Sequence, residues 1–462
     1  MKKFYILTLA ALILSSGYVF GQKEAQHQKD AERAKKVDTR IDNNGYWKKM
    51  AALGLARLNP VTPVKPAVYV GSEIRAFSVI TDDSPDVAVA TSSSTQSENS
   101  VFVHPDDNLV VINSNNSTPN PSDGSIYGAN WLGTEDGGLN WSGTVQGAGG
   151  YNWGDPVALI GLDGAYYVGA ITSSFGQSVA KSTNQGGYFT VYNVANAGGE
   201  GLDKNHLWVD NSLISPYSNY LYDAWTDFGG FADGNIALSR SINGAVNWST
   251  PVNVSSAVNA GSHCQGVNIN TGPNGEVYVI WAIYDGWPTD ETAIGLARSF
   301  NGGATFEPAT RIIQNIRGIR ATGVNKNMRN NSFPSMACDI SGNEYNGNIY
   351  IVWSNVGVPG INSGNDVDVY MSRSEDLGVT WSTPVRVNQD PVGQGSKHYF
   401  PWITCDPENG MLSVVFYDDR NVGGYQCEVY CANSSDGGET WEDFKVSDVA
   451  FTPSPIPNMA DG

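Results

Sequence analysis

Charge, cysteine and histidine are all scarce in this sequence, and each scarcity removes a class of protein. Charged residues make up 16% of the 462, too few for helices stabilised by ion-paired faces. The five cysteines, Cys264, Cys338, Cys405, Cys427 and Cys431, are odd in number and show no metal-ligand spacing with the five histidines, so neither a zinc site nor a disulfide framework is read from them. Cys338 and Cys405 fall in matching apolar strand positions and read as core thiols. Beyond Gly21 no apolar run is long enough to cross a bilayer as a helix. Basic charge is scarce too: residues 66–462 carry 15 basic against 41 acidic residues, whereas residues 23–65 carry ten against five. So acidic a body excludes nucleic acid and anionic membrane as partners.

What is abundant points to strands. Glycine (52 residues), tyrosine (22) and tryptophan (13) suit short strands joined by tight turns, and the chain reads as all-β. It opens with Lys2 and Lys3, an apolar run from Phe4 to Leu14, and small residues at Ser15, Ser16, Gly17 and Gly21. That is the layout of a secretory signal cleaved near Gly21. No cysteine follows to carry a lipid anchor, so export to the medium or the cell surface is expected. Residues 22 to about 45 are polar, have no apolar face, and read as a leader without chemistry. Trp47, Met50, Leu53, Leu55 and Leu58 then fall at three-to-four spacing before Pro60, one short amphipathic helix within a leader of residues 22–69.

From about residue 70 apolar residues alternate, as in DVAVA, YYVGAI, VYVIWAIYD and LSVVFYDD, each run bounded by Gly, Asn, Asp or Pro. Between these strands an eight-residue pattern recurs: Ser or Thr, any residue, Asp or Asn, any residue, Gly, two more, then Trp or Phe. Its copies start at Thr134, Ser182, Ser241, Ser299, Ser374 and Ser434, at intervals of 48, 59, 58, 75 and 60 residues. Such intervals are the length of four strands with their loops. The acid or amide accepts turn N–H groups, the glycine takes a positive φ, and the aromatic pins the hairpin. Ala245 alone departs from the glycine, and the neighbouring Gly244 is expected to absorb the turn.

The pattern resembles the Asp boxes, or BNR repeats, of the sialidase superfamily, over roughly residues 70–462. The resemblance implies a β-propeller of four-stranded antiparallel blades, with each box between the third and fourth strands. Six blades are expected near residues 99–146, 154–195, 203–255, 263–313, 332–388 and 398–448. Residues 70–95 would add one or two strands ahead of them, and a longer native chain leaves room for a seventh blade. The resemblance also implies a catalytic set on the face opposite the boxes: three arginines for a sugar carboxylate, a tyrosine nucleophile activated by a glutamate, and an aspartate acid/base. The family's Phe/Tyr-Arg-Ile-Pro motif is absent, and the nearest early arginine, Arg75 in SEIRAF, does not match it.

The loops of that opposite face supply Asp227, Asp233, Asp285, Asp290, Glu291, Asp366, Asp368, Asp418, Asp419 and Arg420, while His206, His263 and His398 each precede an innermost strand and would ring the channel mouth. Between blades four and five, RIIQNIRGIRATGVNKNMRNNS gathers Arg311, Arg317, Arg320, Lys326 and Arg329, a third of the basic residues after the leader. Planar guanidinium forks suit a carboxylate, sulfate or phosphate; pairing with nearby loop acids is the plainer use of the same charges. Arg240, Arg298 and Arg373, each just before a box serine, read as structural.

Two functions stay open. In the first, an exported sialidase-like glycoside hydrolase acts on anionic or complex glycans. Arg317, Arg320, Arg329 and Arg420 then bind substrate with His206, His263, His398 and Asp227; Asp285, Asp418 or Asp419 is the acid/base, and Tyr417 or Tyr284 the nucleophile. Like charge in the Asp418–Asp419 pair would raise one pKa toward neutrality. In the second, a non-catalytic propeller on the bacterial surface binds a glycan, a glycoprotein or another protein through Trp225, Trp287, Tyr399 and Trp402, or serves as a scaffold whose face only contacts another protein. No cofactor is expected; NDVDVY and the Asp418–Asp419 pair offer oxygen ligands for Ca²⁺ but lack a recognised loop spacing.

Overall fold

The structure, a computed structural model, describes residues 37–59, 86–92, 94–118, 128–259, 261–361 and 363–453. The expected secretory signal, the first part of the leader and residues 60–85 lie outside the described residues. Alternating, turn-bounded segments form six antiparallel sheets, in residues 95–144, 157–195, 201–253, 263–314, 335–386 and 398–445, each within four residues of its expected limits. Every sheet takes four consecutive strands in order, and the first adds the two-residue strand Gly128–Ala129. The protein is an all-β, six-bladed β-propeller. No strand occurs in residues 86–92, so the first blade takes its inner strand from Thr95–His104. Asp86 and Asp448 exchange backbone N–H to carboxylate hydrogen bonds of 3.3 and 2.9 Å, tying the chain before the first blade to the chain after the last.

Burial explains why some strands do not alternate. The second strands Leu221–Phe228, Val277–Tyr284 and Ile349–Val356 are buried at every position, because neighbouring blades cover both faces. Apolar seams follow: Leu159, Leu207 and Trp225 pack between blades two and three, Tyr222, Ile269 and Val279 between three and four, and Val352, Ile403 and Val414 between five and six. Trp225, Trp281 and Trp353 occupy the fifth position of their strands and are fully buried. Trp225 is therefore core and presents no face to a sugar, and the same holds for the buried Tyr399. All five cysteines are free thiols. Among the described residues no helix is long and apolar enough to cross a membrane.

The six repeated turns close alike. The first Ser or Thr Oγ accepts the N–H four residues on, at 2.8–3.1 Å. The Asp or Asn Oδ1 accepts another N–H four further along from itself, at 2.8–3.0 Å. The fifth residue has positive φ in every copy, and Ala245 is no exception at φ 72°. Gly244, at φ 65°, shares the turn with Ala245 and does not absorb it alone. A latch accompanies four of the turns: the cation before Ser182, Ser241, Ser299 and Ser374 donates to a backbone carbonyl in the next blade's turn. Lys181 reaches Gly244 (3.1 Å), Arg240 reaches Gly302 (2.6 Å), Arg298 reaches Leu377 (2.8 Å) and Arg373 reaches Gly437 (3.1 Å).

Among the described residues a helix, α1 (Asn44–Ala52), precedes the blades. The Asn43 side chain caps it by accepting from Tyr46 N–H, and Gly54, at φ 70°, follows its end. Leu53, Leu55 and Leu58 therefore fall beyond the helix, with Leu53 and Leu58 exposed. Tyr46, Trp47 and Met50 pack with Ile41 against Phe228 of blade three. A Cβ at residue 45 would enter the Trp153 ring, so Gly45 lets the helix lie directly on blade two.

Candidate functional site

Tyr284 ends the second strand of blade four and His263 begins its first; they are cross-strand partners, with rings stacked at 4.4 Å and 3°. This is the end of the blade away from the repeated turns. The loop leaving Tyr284 returns through buried Glu291, whose Oε1 accepts the Tyr284 hydroxyl at 2.7 Å. The other hydrogen bonds of Glu291 go to the link between blades four and five. Oε1 accepts from Ser332 N–H (2.9 Å), and Oε2 from Ile319 (3.0 Å) and Arg320 (3.2 Å). Asp290 takes the next turn of that link, accepting from Ala321 N–H at 2.6 Å and Thr322 N–H at 2.8 Å. Two adjacent acids thus fix the backbone from which Arg320 projects. Gly318 completes the fit, because a Cβ there would meet Glu291 Oε2.

Burial pushes the Glu291 carboxyl up, against the pull of its N–H donors. Burial also lifts the Tyr284 phenol well above its ordinary range, and the Glu291 charge adds to this. The phenol therefore keeps its proton and directs it at the Glu291 carboxyl.

Arg320 lays its guanidinium over the Trp287 ring, 5.2 Å from the centroid, and Arg329 comes from the far end of the link. Both reach one carboxylate. Asp42 Oδ1 lies 3.1 Å from Arg329 Nη1 and 3.5 Å from Arg320 Nη2, and the Asp42 N–H donates to Asp203 Oδ2 at 2.8 Å. Burial, followed by the charge of Asp42, raises the Asp203 carboxyl to about 7. Gln265 donates to that same oxygen at 3.1 Å, with its own Oε1 3.3 Å from His263 Nε2. Burial, then Arg40, lowers His263 to about 4, so its imidazole is neutral at neutral pH. The mouth thus gathers a two-guanidinium clamp, a tyrosine on a carboxylate, and a carboxyl able to exchange its proton near neutrality.

No protein-family model and no curated protein matches the sequence. Among solved structures the chain is similar to a leech intramolecular trans-sialidase, at 11% identity and TM-score 0.46, covering 80% of this chain and 70% of that one. It is similar also to an α-L-arabinofuranosidase from Fusarium graminearum (13%, TM-score 0.46, 73% and 92% covered) and to the Aleuria aurantia lectin (12%, TM-score 0.44, 77% and 95%). None of these carries an activity across to this chain.

The remaining sequence candidates lie elsewhere. Asp285 is ion-paired with Arg311 at 2.6 Å, which holds its carboxyl below the usual range. Asp227 caps its own loop, accepting from Gly230 and Ala232 N–H at 3.0 Å each. Arg317 donates to the Gly364 carbonyl. Tyr417 packs among Tyr399, Phe400 and Phe451. His206 is buried against Trp208 and Trp402, and burial lowers it to about 3.

Asp418 and Asp419 diverge. Asp419 pairs with Lys326 at 2.7 Å, while Asp418 enters a buried network with His398 and Arg420. There Arg420 pairs with Asp418 and Asp443 at 2.6 Å each, Arg386 donates to Asp390 at 2.7 Å and makes an ionic contact with Asp368 at 3.0 Å, and His398 sits between the groups. Burial alone would raise Asp418, but His398 and Arg420 bring it below the ordinary value, so the like-charge expectation for this pair does not hold. Asp368, Asp390 and His398 are close enough to share a cation. The guanidiniums of Arg386 and Arg420 already pair with these acids, which makes the cluster an ion-pair network.

Asp42, Asp203 and the role of Glu291 escape sequence reasoning. Glu291 could have been singled out as the acid seven residues after Tyr284, across the hairpin loop. Asp42 gives no such signal, being 278 residues from Arg320.

Proposed function

We propose that the chain is an exported sialidase-like glycoside hydrolase that holds an anionic glycan by its carboxylate at the channel mouth. The observation that supports this is the meeting of Arg320 and Arg329 on one carboxylate beside the Tyr284–Glu291 hydrogen bond. In this reading the guanidinium pair binds and orients the sugar carboxylate. Tyr284 passes its proton to Glu291 as the phenol oxygen bonds the anomeric carbon, and Asp203 gives its proton to the departing glycosidic oxygen. Water then attacks the anomeric carbon, loses a proton to Asp203, and frees Tyr284, which recovers its proton from Glu291.

Fluorogenic sialosides and glucuronides test the proposal. Arg329→Ala is expected to raise KM and Glu291→Gln to lower kcat. Absence of turnover by both the native chain and Asp42→Ala, across acidic and neutral glycosides, sinks the hydrolase. Tyr284 has no exposed surface, and this favours a second reading, a non-catalytic surface propeller that binds the same carboxylate. Binding without turnover is its signature. Export predicts a secreted chain beginning near residue 22, checked by mass spectrometry.

A further inference from the structure

The mouth is filled from within. Besides the Asp42 carboxylate, the strip ahead of α1 brings three backbone or hydroxyl groups to the same residues. The Asp42 carbonyl accepts from Arg329 Nη2 (3.4 Å), the Arg40 carbonyl from Gln265 Nε2 (3.1 Å), and Thr39 Oγ1 from Trp287 Nε1 (2.8 Å). With the Asp42 N–H on Asp203, these contacts engage Arg320, Arg329, Asp203, Gln265 and Trp287 together. They are the contacts of a bound acidic ligand: one carboxylate on two guanidiniums, and flanking donors and acceptors on the polar wall.

The strip is anchored from one side. Its apolar anchor, α1 with Tyr46, Trp47 and Met50, lies to one side against Phe228 and Phe175. Of the part over the mouth, residues 38–42, Asp38, Thr39, Arg40 and Asp42 are held by hydrogen bonds and ion pairs, one of them within the strip, Arg40 to Asp38 at 2.6 Å, while Ile41 is buried with α1 and its carbonyl accepts from Trp47 Nε1 at 2.7 Å.

We propose that residues 38–42 are an internal cap and that Asp42 stands in for the carboxylate of an acidic sugar. The site admits its ligand only when the strip lifts from the mouth while α1 stays docked. This rests on the carboxylate-binding reading above. A tethered carboxylate acts at an effective concentration of the order of millimolar or higher, and the apparent Kd of an external ligand rises by the inverse of the open fraction. The buried state of Tyr284 then belongs to the capped form.

Isothermal titration of the full chain, Asp42→Ala and Asp42→Asn with N-acetylneuraminic acid and glucuronic acid tests this. Hydrogen exchange of residues 37–52 is followed alongside. The expected result is at least tenfold tighter binding by Asp42→Ala than by the native chain, with Asp42→Asn between them. Saturating sugar acid is expected to speed exchange in residues 38–42 of the native chain and leave α1 protected. Equal affinity in all three chains, or native binding with residues 38–42 still protected, overturns the cap while carboxylate recognition stands. Binding by none of the folded chains overturns both. Should the variants not fold, the exchange experiment on the native chain decides.

Discussion

Replacing His398 by glutamine tests whether the network between blades five and six runs on a buried imidazolium. His398 has no exposed side-chain surface. Its Nδ1 bonds the Val367 carbonyl at 2.8 Å and lies 3.4 Å from Asp368; its Nε2 contacts Asp390 at 3.3 Å and Asp418 at 3.4 Å, ionic contacts without good hydrogen-bond geometry. Four carboxylates (Asp368, Asp390, Asp418, Asp443) face two guanidiniums (Arg386, Arg420), so a third cation brings the cluster to within one charge of balance. Burial alone would lower the imidazole pKa, but Asp368, Asp418 and Asp390 outweigh it and raise it to about 10. A raised folded pKa contributes stability fully below the unfolded value near 6.5 and loses it as pH climbs towards 10. Removing the cation from a buried cluster costs about 3–5 kcal/mol at pH 6, and the gap should close by about 1.4 kcal/mol per pH unit above 6.5. At this chain length that is roughly 1–2 °C of Tm per kcal/mol. Thermal melts of both chains from pH 6 to 9.5 should therefore converge. A gap that stays constant or widens refutes the protonated histidine.

Three further outcomes follow from local geometry. Arg240→Met keeps the side-chain stem but loses the 2.6 Å bond to the Gly302 carbonyl, and should cost about 1 kcal/mol in urea unfolding; no change means that the latch is ornamental. Gly318→Ala forces Glu291 to move and should lower both Tm and sugar-acid affinity, since Arg320 shares that backbone; native affinity would separate the link from the site. Ser299→Ala deletes the acceptor of Gly303 N–H at 3.0 Å and is expected to cost about 1–2 kcal/mol, because a buried donor is left unmet; a cost near zero in calorimetry would show that this turn stands on its backbone alone.

The repeated turns were readable because their chemistry closes within eight residues, and their spacing then placed the blades. Ala245 marks the limit of that reading. Its φ of 72° is imposed by the surrounding turn, against its own preference. The arginine-rich link stood out as local charge, yet the choice among its arginines did not, because Asp290 and Glu291 aim the backbone from another blade. Adjacent acids misled for a plain reason: the strand ends at Asp418, which faces His398, and the chain leaves it at Asp419, which turns instead to Lys326. Nothing local distinguishes Asp42 from the other charges of a polar leader.

The charge distribution bears on how selective such a mouth can be. Residues 66–462 carry 41 acids against 15 bases, so an external anion meets repulsion on approach, although salt screens it beyond about 8–10 Å. Attraction begins only at the Arg320–Arg329 clamp, where Asp42 already competes without that approach. A simple carboxylate should therefore displace the strip poorly. A ligand that also covers the Trp287 ring and replaces the strip's bonds to Asp203 and Gln265 recovers what lifting the strip gives up. Carboxylate, ring face and hydroxyl donors in one molecule describe an acidic sugar better than a free organic acid. Discrimination between glucuronic acid and acetate, larger in the native chain than in Asp42→Ala, is the form that selectivity should take.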